Sequence, residues 1–241
     1  VTSFNLKTPS RALAIGAHPD DIEFGAGGTL AKWAADGCEI FHLVCTDGSK
    51  GTWDPTQDQS ALVALRQVEQ RNAARTLGGR GDVVFLGWPD GELESGLRQR
   101  WQVAAWIRRL KPDVVLGHDP WKRYRLHPDH RHAGLLTTEG IVAARDPLYF
   151  PETDAPPHRP SALLLWEADE VDHLEDVTQS FDTKITALLE HKSQLHTTMD
   201  ITSTDTDEVA SFVERVRTRL SEAGAPHGLE LAEPFKLLDR L

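Results

Sequence analysis

Two short segments of the chain hold most of the residues able to do chemistry. One is His18-Pro19-Asp20-Asp21, and the other is His127-Pro128-Asp129-His130. Imidazole and carboxylate together form a ligand set that suits a divalent metal such as zinc. Successive side chains point in different directions, so Asp20 and Asp21 can divide the work, one on a metal and one facing a water. His127 and His130 stand three residues apart, a spacing that puts both on one face of a helical turn. A catalytic zinc takes three protein ligands and keeps one position open. His18, one of Asp20 and Asp21, and one of His127 and His130 would supply that set. The aspartate left over is a general base for water, and the histidine left over can stabilise an oxyanion or protonate a leaving nitrogen. This inventory fits metal-assisted hydrolysis of an amide or ester. The plainer alternatives are an aspartate pair capping the next helix and a histidine on a loop surface. A second His-Pro-Asp in an equivalent position weighs against both.

Both segments follow apolar runs. Ala12-Leu13-Ala14-Ile15-Gly16-Ala17 is short and bounded, as a buried parallel strand is, and Val114-Val115-Leu116-Gly117 is its counterpart before the polar loop 118–127. In open α/β sheets ligands sit at the carboxyl ends of the strands, which is where both segments fall. Further strands are expected at 39–45 and 83–86, with helices at 29–36, 58–77, 97–110 and 129–144. Alternating strands and helices predict a Rossmann-like, three-layer α/β fold with a mostly parallel sheet. The glycines at 25, 27 and 28 come too late for a dinucleotide fingerprint and read as close-packing positions at a helix start. A Pro-rich stretch at 151–160 reads as an internal loop. After it come two strands, at 162–166 and 171–177, and helices near 180–195 and 206–222. Residues 1–241 therefore read as one domain, with a core over 11–145 and a smaller C-terminal extension over 160–241.

Composition removes several classes of function. Lys plus Arg number 26 against 37 Asp plus Glu, a formal net charge of −11, which argues against a nucleic-acid surface. Hydrophobic residues make up 39%, enough for a substantial core. The two cysteines, Cys38 and Cys45, form no Cys-x-x-Cys pair, so neither a disulfide framework nor a thiolate zinc site is expected. No apolar run reaches the ~18 residues of a membrane span, and residues 1–10 lack a secretory h-region. The expectation is a cytoplasmic protein with no membrane span. A serine nucleophile elbow, Gly-x-Ser-x-Gly, is also missing.

These motifs resemble those of the LmbE-like, or PIG-L, family of zinc-dependent de-N-acetylases. The resemblance rests on Ala17-His18-Pro19-Asp20-Asp21-Ile22-Glu23 with Gly27-Gly28-Thr29-Leu30, then Thr46-Asp47-Gly48 with Gly51, then Arg66-Gln67-Val68-Glu69. It continues through Pro89-Asp90-Gly91, His127-Pro128-Asp129-His130, and a late group of Lys184, Ala187, His191 and Ser193-Gln194. It implies zinc on His18, Asp21 and His130, with one ion per chain and Fe²⁺ as an alternative. It implies Asp20 as general base, His127 as the protonated partner of the oxyanion or leaving nitrogen, and Arg66 and Asp90 as substrate-holding residues. Without it, Arg66 reads as a surface partner of Glu69, and Asp90 as a turn residue. The implied substrate is a small amino-sugar conjugate bearing an N-acetyl group, and family members often form homo-oligomers. Two other functions share these residues: an amidase for a larger acyl group on a glucosaminyl conjugate, and a non-catalytic zinc- or sugar-binding module. The loop Asp119-Pro120-Trp121-Lys122-Arg123-Tyr124-Arg125 departs from the pattern, with Arg125 where some members place a tyrosine. Its basic residues suggest an acidic or phosphorylated aglycone, and Trp53, Trp88 and Trp121 fall on loops where an indole either stacks on a sugar ring or simply covers apolar surface.

Overall fold

The first apolar run folds as β2 (Arg11–Gly16), inside an eight-stranded sheet. Successive side chains of a strand face opposite ways. Ala12 and Ala14 therefore pack with Ile22, Leu30 and Trp33, and Leu13 and Ile15 pack on the other side with Val103, Ile107 and Leu136. Burial on both faces explains why the run is apolar throughout and does not alternate. The computed structural model describes residues 2–202 and 206–241.

The other strands are β1 (Ser3–Phe4), β3 (Glu39–Thr46), β4 (Val83–Trp88), β5 (Val114–His118), β6 (Ala162–Trp166), β7 (His173–Asp176) and β8 (Ala232–Leu238). The order across the sheet is β1-β7-β8-β6-β5-β2-β3-β4. All pairings are parallel except those of β8, which runs antiparallel to both β6 and β7. The fold is thus α/β with a mostly parallel sheet. From β2 the chain builds β3 and β4 to one side, then β5 and β6 to the other. The carboxyl ends of β2 and β5 consequently flank a topological switch point, where such sheets open a crevice.

The helices are α1 (Asp21–Ala35), α2 (Gln59–Thr76), α3 (Leu97–Leu110), α4 (Pro128–Arg145), α5 (Phe181–Leu189), α6 (Leu195–Met199) and α7 (Thr206–Gly224). Three details differ from expectation. Helix α1 begins at Asp21 and not at 29, so Gly25, Gly27 and Gly28 lie inside it. They do serve close packing. A Cβ at Gly25 would enter the Trp166 indole, and one at Gly28 would stand 2.8 Å from Val177. The expected helix at 180–195 splits into α5, a 3-10 turn at Lys192–Gln194, and α6. The C-terminal segment adds strands to the same sheet, including the unforeseen β8, whose Glu233, Pro234 and Lys236 break any apolar run.

Strand β8 is tied to α1 by a buried ion pair. Glu233 accepts from the backbone N–H groups of Gly28 and Thr29, and Lys184 Nζ donates to the carbonyls of Glu23 and Phe24 and to Glu233 Oε1 at 2.7 Å. Phe24 and Gly28 are four residues apart, the spacing of one helical rung, so the ion pair engages the carbonyl of one and the N–H of the other. A third core, with Val177, Phe181, Leu188, Phe212 and Leu220, fills the space under this region. No helix among the described residues is long and apolar enough to cross a membrane.

Candidate active site

The crevice is a cavity of about 560 Å³ at the carboxyl ends of the strands. The loop after β2 brings His18, Asp20 and Asp21 to it, and the segment after β5 brings His127 and His130. The His18 backbone N–H donates to Asp21 Oδ2 at 2.7 Å, closing a tight turn just before α1. His18 Nδ1 lies 3.4 Å from the same oxygen, and His130 Nε2 lies 3.3 Å from Asp21 Oδ1. Ligand atoms of His18, Asp21 and His130 fall within 4.8 Å of one another, a group able to hold a metal ion.

The opposite nitrogen of His18 explains how the group is aimed. His18 Nε2 is 3.1 Å from Asp129 Oδ2 and 3.1 Å from Asp90 Oδ1. Asp129 is fully buried and accepts from the backbone N–H groups of Gly91 (2.6 Å) and Leu93 (3.2 Å). A carboxylate on one ring nitrogen directs the other toward a metal. Asp129 belongs to the second motif, yet nothing in its spacing assigned it this part. His118 was also missed. Its Nδ1 accepts from the Trp166 indole N–H at 3.0 Å, which leaves Nε2 to carry the proton, 3.2 Å from Asp21 Oδ2. The available signal was its position as the last residue of β5.

The charges are strongly mutual. Burial works against the charge on Asp21, but His130, His118 and His18 hold its carboxyl well below the usual range. Burial also works against a charged His18, yet Asp129, Asp21 and Asp90 hold its pKa well above the ordinary value. Several buried carboxylates converge here and call for a cation, which His18 supplies in the metal-free protein. Burial, His118 and His18 push His130 down to about 4, so its ring is neutral. Asp20 goes the other way. Burial, with Asp21 beside it, raises its carboxyl to about 6 against the pull of Arg66.

The remaining expected residues also reach the cavity. His127 is the N-cap of α4, 4.6 Å from His18 and 4.9 Å from His130 between ring centroids. Desolvation and His18 lower its pKa, so the resting ring is neutral and not protonated as the resemblance implies. Asp90 is buried, with Oδ2 accepting from Lys50 N–H at 3.0 Å. Arg66 is only 2% exposed, and its guanidinium donates to the carbonyls of Gly48 (2.9 Å) and Pro19 (2.6 Å). His191 lies deeper, paired with Glu23 at 3.2 Å. In the loop 119–125, Arg125 is buried against Glu167 at 2.6 Å, and Tyr124 is 86% exposed. Trp53, Trp88 and Trp121 do not line the cavity; the indole that does is Trp166.

The likenesses to known proteins agree with this geometry. Over 188 residues the chain is 34% identical to a diacetylchitobiose deacetylase of Thermococcus kodakarensis, covering 76% of this chain and 70% of that one. Over 170 residues it is 29% identical to a 1D-myo-inositol 2-acetamido-2-deoxy-alpha-D-glucopyranoside deacetylase of Streptomyces avermitilis, covering 61% of this chain. That match spans 58% of the relative's length, less than two thirds. The structure of an N,N'-diacetylchitobiose deacetylase from Pyrococcus horikoshii superposes with a TM-score of 0.86 at 28% identity, covering 96% of this chain and 84% of that one. Fold and sequence are together those of an N-deacetylase. The chain belongs to the PIG-L family, described as GlcNAc-PI de-N-acetylase, whose model matches residues 13–141, more than half of the chain.

Proposed function

We propose that this chain is a zinc-dependent hydrolase that removes the N-acetyl group from a small molecule containing N-acetylglucosamine, with Asp20 as general base. One observation carries the reading: His18, Asp21 and His130 converge as a metal group, beside a carboxyl whose pKa is raised to about 6. The donor set fits the ion. Two neutral imidazole nitrogens and one carboxylate, with His18 aimed by Asp129, suit Zn²⁺ or Fe²⁺ in an open site. A bound zinc ion would polarise the amide carbonyl and make water a nucleophile near neutral pH.

The chain's own groups do the rest. Asp20 removes a proton from the attacking water, and a pKa near the working pH suits that task. His127, its neutral ring beside His18, donates a hydrogen bond to the oxyanion, and the proton that Asp20 took from water passes to the leaving nitrogen. Asp90 accepts from sugar hydroxyls. Arg66 shares the cavity wall, with its guanidinium committed to Gly48 and Pro19. The relatives are named for diacetylchitobiose and for an acetamido-glucosyl inositol. The unit common to both is an N-acetylated glucosamine, and we take that unit as the substrate core. We read residues 1–241 as one working unit, because Trp166 and Glu167 at the end of β6 line the same cavity as His18.

The test is acetate release from N-acetylglucosamine and a panel of its glycosides, alongside analogues with longer acyl chains. Turnover confined to acetylated members supports the reading. Turnover only on longer acyl groups would make the chain an amidase of wider pocket, and binding without turnover would make it a binding module.

A further inference from the structure

One peptide group in the site is gripped on both of its polar atoms. The carbonyl of Pro19 accepts from Arg66 Nη2 at 2.6 Å, and the N–H of Asp20 donates to Gln70 Oε1 at 3.0 Å. These are the two ends of the peptide that joins Pro19 to Asp20. Arg66 and Gln70 lie one turn apart on α2, so they present on the same face. Both are buried, and neither is free to turn away. Arg66 Nη1 is held by the Gly48 carbonyl in a space that a Cβ at Gly51 would invade. Gln70 Nε2 donates to Glu23 Oε1 at 2.8 Å, which fixes which end of the amide faces Asp20.

What the grip holds is an unfavourable conformation. Asp20 has φ 114° and ψ −28°, a region that disfavours a Cβ and that glycine enters freely. Such strain survives only where the surroundings over-determine it. Asp21, one residue on, is oriented independently by His118, His130 and the His18 N–H.

We infer that Arg66 and Gln70 form a backbone clamp that sets the direction of the Asp20 carboxylate, with Gln70 a positioning residue for the reaction. The inference rests on the reading of Asp20 as the base. The clamp keeps the peptide from relaxing to negative φ, which would swing the Asp20 Cβ away from its present direction. The metal group stays in place, because its own contacts do not pass through α2. Arg66 acts on Asp20 through the chain and also directly, its Nη2 standing 3.5 Å from Asp20 Oδ2, so Gln70 is the cleaner probe of the clamp.

Two sets of variants test this. Gln70→Met fills the same space without an accepting oxygen. In the metal-loaded enzyme it lowers kcat by about 10–100-fold, the scale of a misplaced reacting group, and KM and the metal Kd stay within a factor of about two. An unchanged kcat, or a loss carried entirely by KM or by metal release, would overturn the clamp. The second set needs no substrate. Asp20→Gly and Asp20→Ala both remove the carboxylate, and only glycine relieves the positive φ. Ordinarily alanine is the more stable of such a pair. Here Asp20→Gly melts higher than Asp20→Ala by about 2–4 °C, and adding Gln70→Met closes the gap. Alanine melting at or above glycine, or a gap that Gln70→Met leaves intact, would contradict the inference. If the wild-type enzyme cleaves nothing, the functional reading fails, and the melting comparison still decides the clamp.

Discussion

Asp20 and Asp21 are neighbours in sequence and opposites in chemistry. Asp21 is surrounded by three imidazoles that hold its charge, and Asp20 is buried with less compensation. The difference has a thermodynamic sign. The folded-state pKa of Asp20, about 6, exceeds the ordinary 3.8, so folding favours its protonated form. Its cost to stability is absent below about pH 3.8, grows from there, and is complete above about pH 6. In the metal-free protein Asp20→Asn should therefore gain about 3 kcal/mol at pH 7, by the conversion of pKa to free energy, and this gain should vanish near pH 4. Urea titrations at the two pH values check it. Asp129 acts through His18, meeting its Nε2 at 3.1 Å. Asp129→Ala should weaken metal binding about 10–100-fold, read by calorimetry, with the fold retained.

At the scale of elements, α1 carries most of what the sequence concealed. The pattern His-Pro-Asp-Asp and the strand before it were legible because they are local: an apolar run, then ligand residues in the first turn. The helix start was not, because Gly25, Gly27 and Gly28 are poor helix formers whose purpose lies in distant partners, Trp166, Lys184 and Val177. His118 and Glu167 were invisible for the same reason, since only the pairing of β5 with β6 brings them together. Gly25→Ala tests the packing argument. Helix propensity alone would add about 1 kcal/mol, and the collision with the Trp166 indole should cost about 1–3 kcal/mol. The variant should gain nothing in stability and should disturb the hydrogen bond from Trp166 to His118, seen as weaker metal binding.

The whole molecule is closed by β8, the strand that local pattern could not reveal. It reverses direction between two strands that run parallel to the rest, and Glu233 on it anchors α1 through Lys184. Lys184 was legible as a family position, and its partner 49 residues later was not. Lys184→Ala leaves a buried carboxylate without its cation and should cost about 3–5 kcal/mol, measured by denaturant unfolding. The paired change Lys184→Met with Glu233→Gln should cost less than the single one. Because α1 begins at the candidate metal group, that single change should also lower metal affinity.

The central claim is that His18, Asp21 and His130 hold a metal for hydrolysis and that Asp20 serves the water. The measurement that reaches it most directly is acetate release from an N-acetylglucosamine conjugate by metal-stripped protein, before and after adding Zn²⁺, with Asp20→Ala beside it. The account predicts no turnover in the stripped protein, recovery with one equivalent of Zn²⁺, and a loss of several orders of magnitude in Asp20→Ala that binds Zn²⁺ as tightly as the wild type. Full activity without metal, or an Asp20→Ala enzyme as active as the wild type, would contradict it.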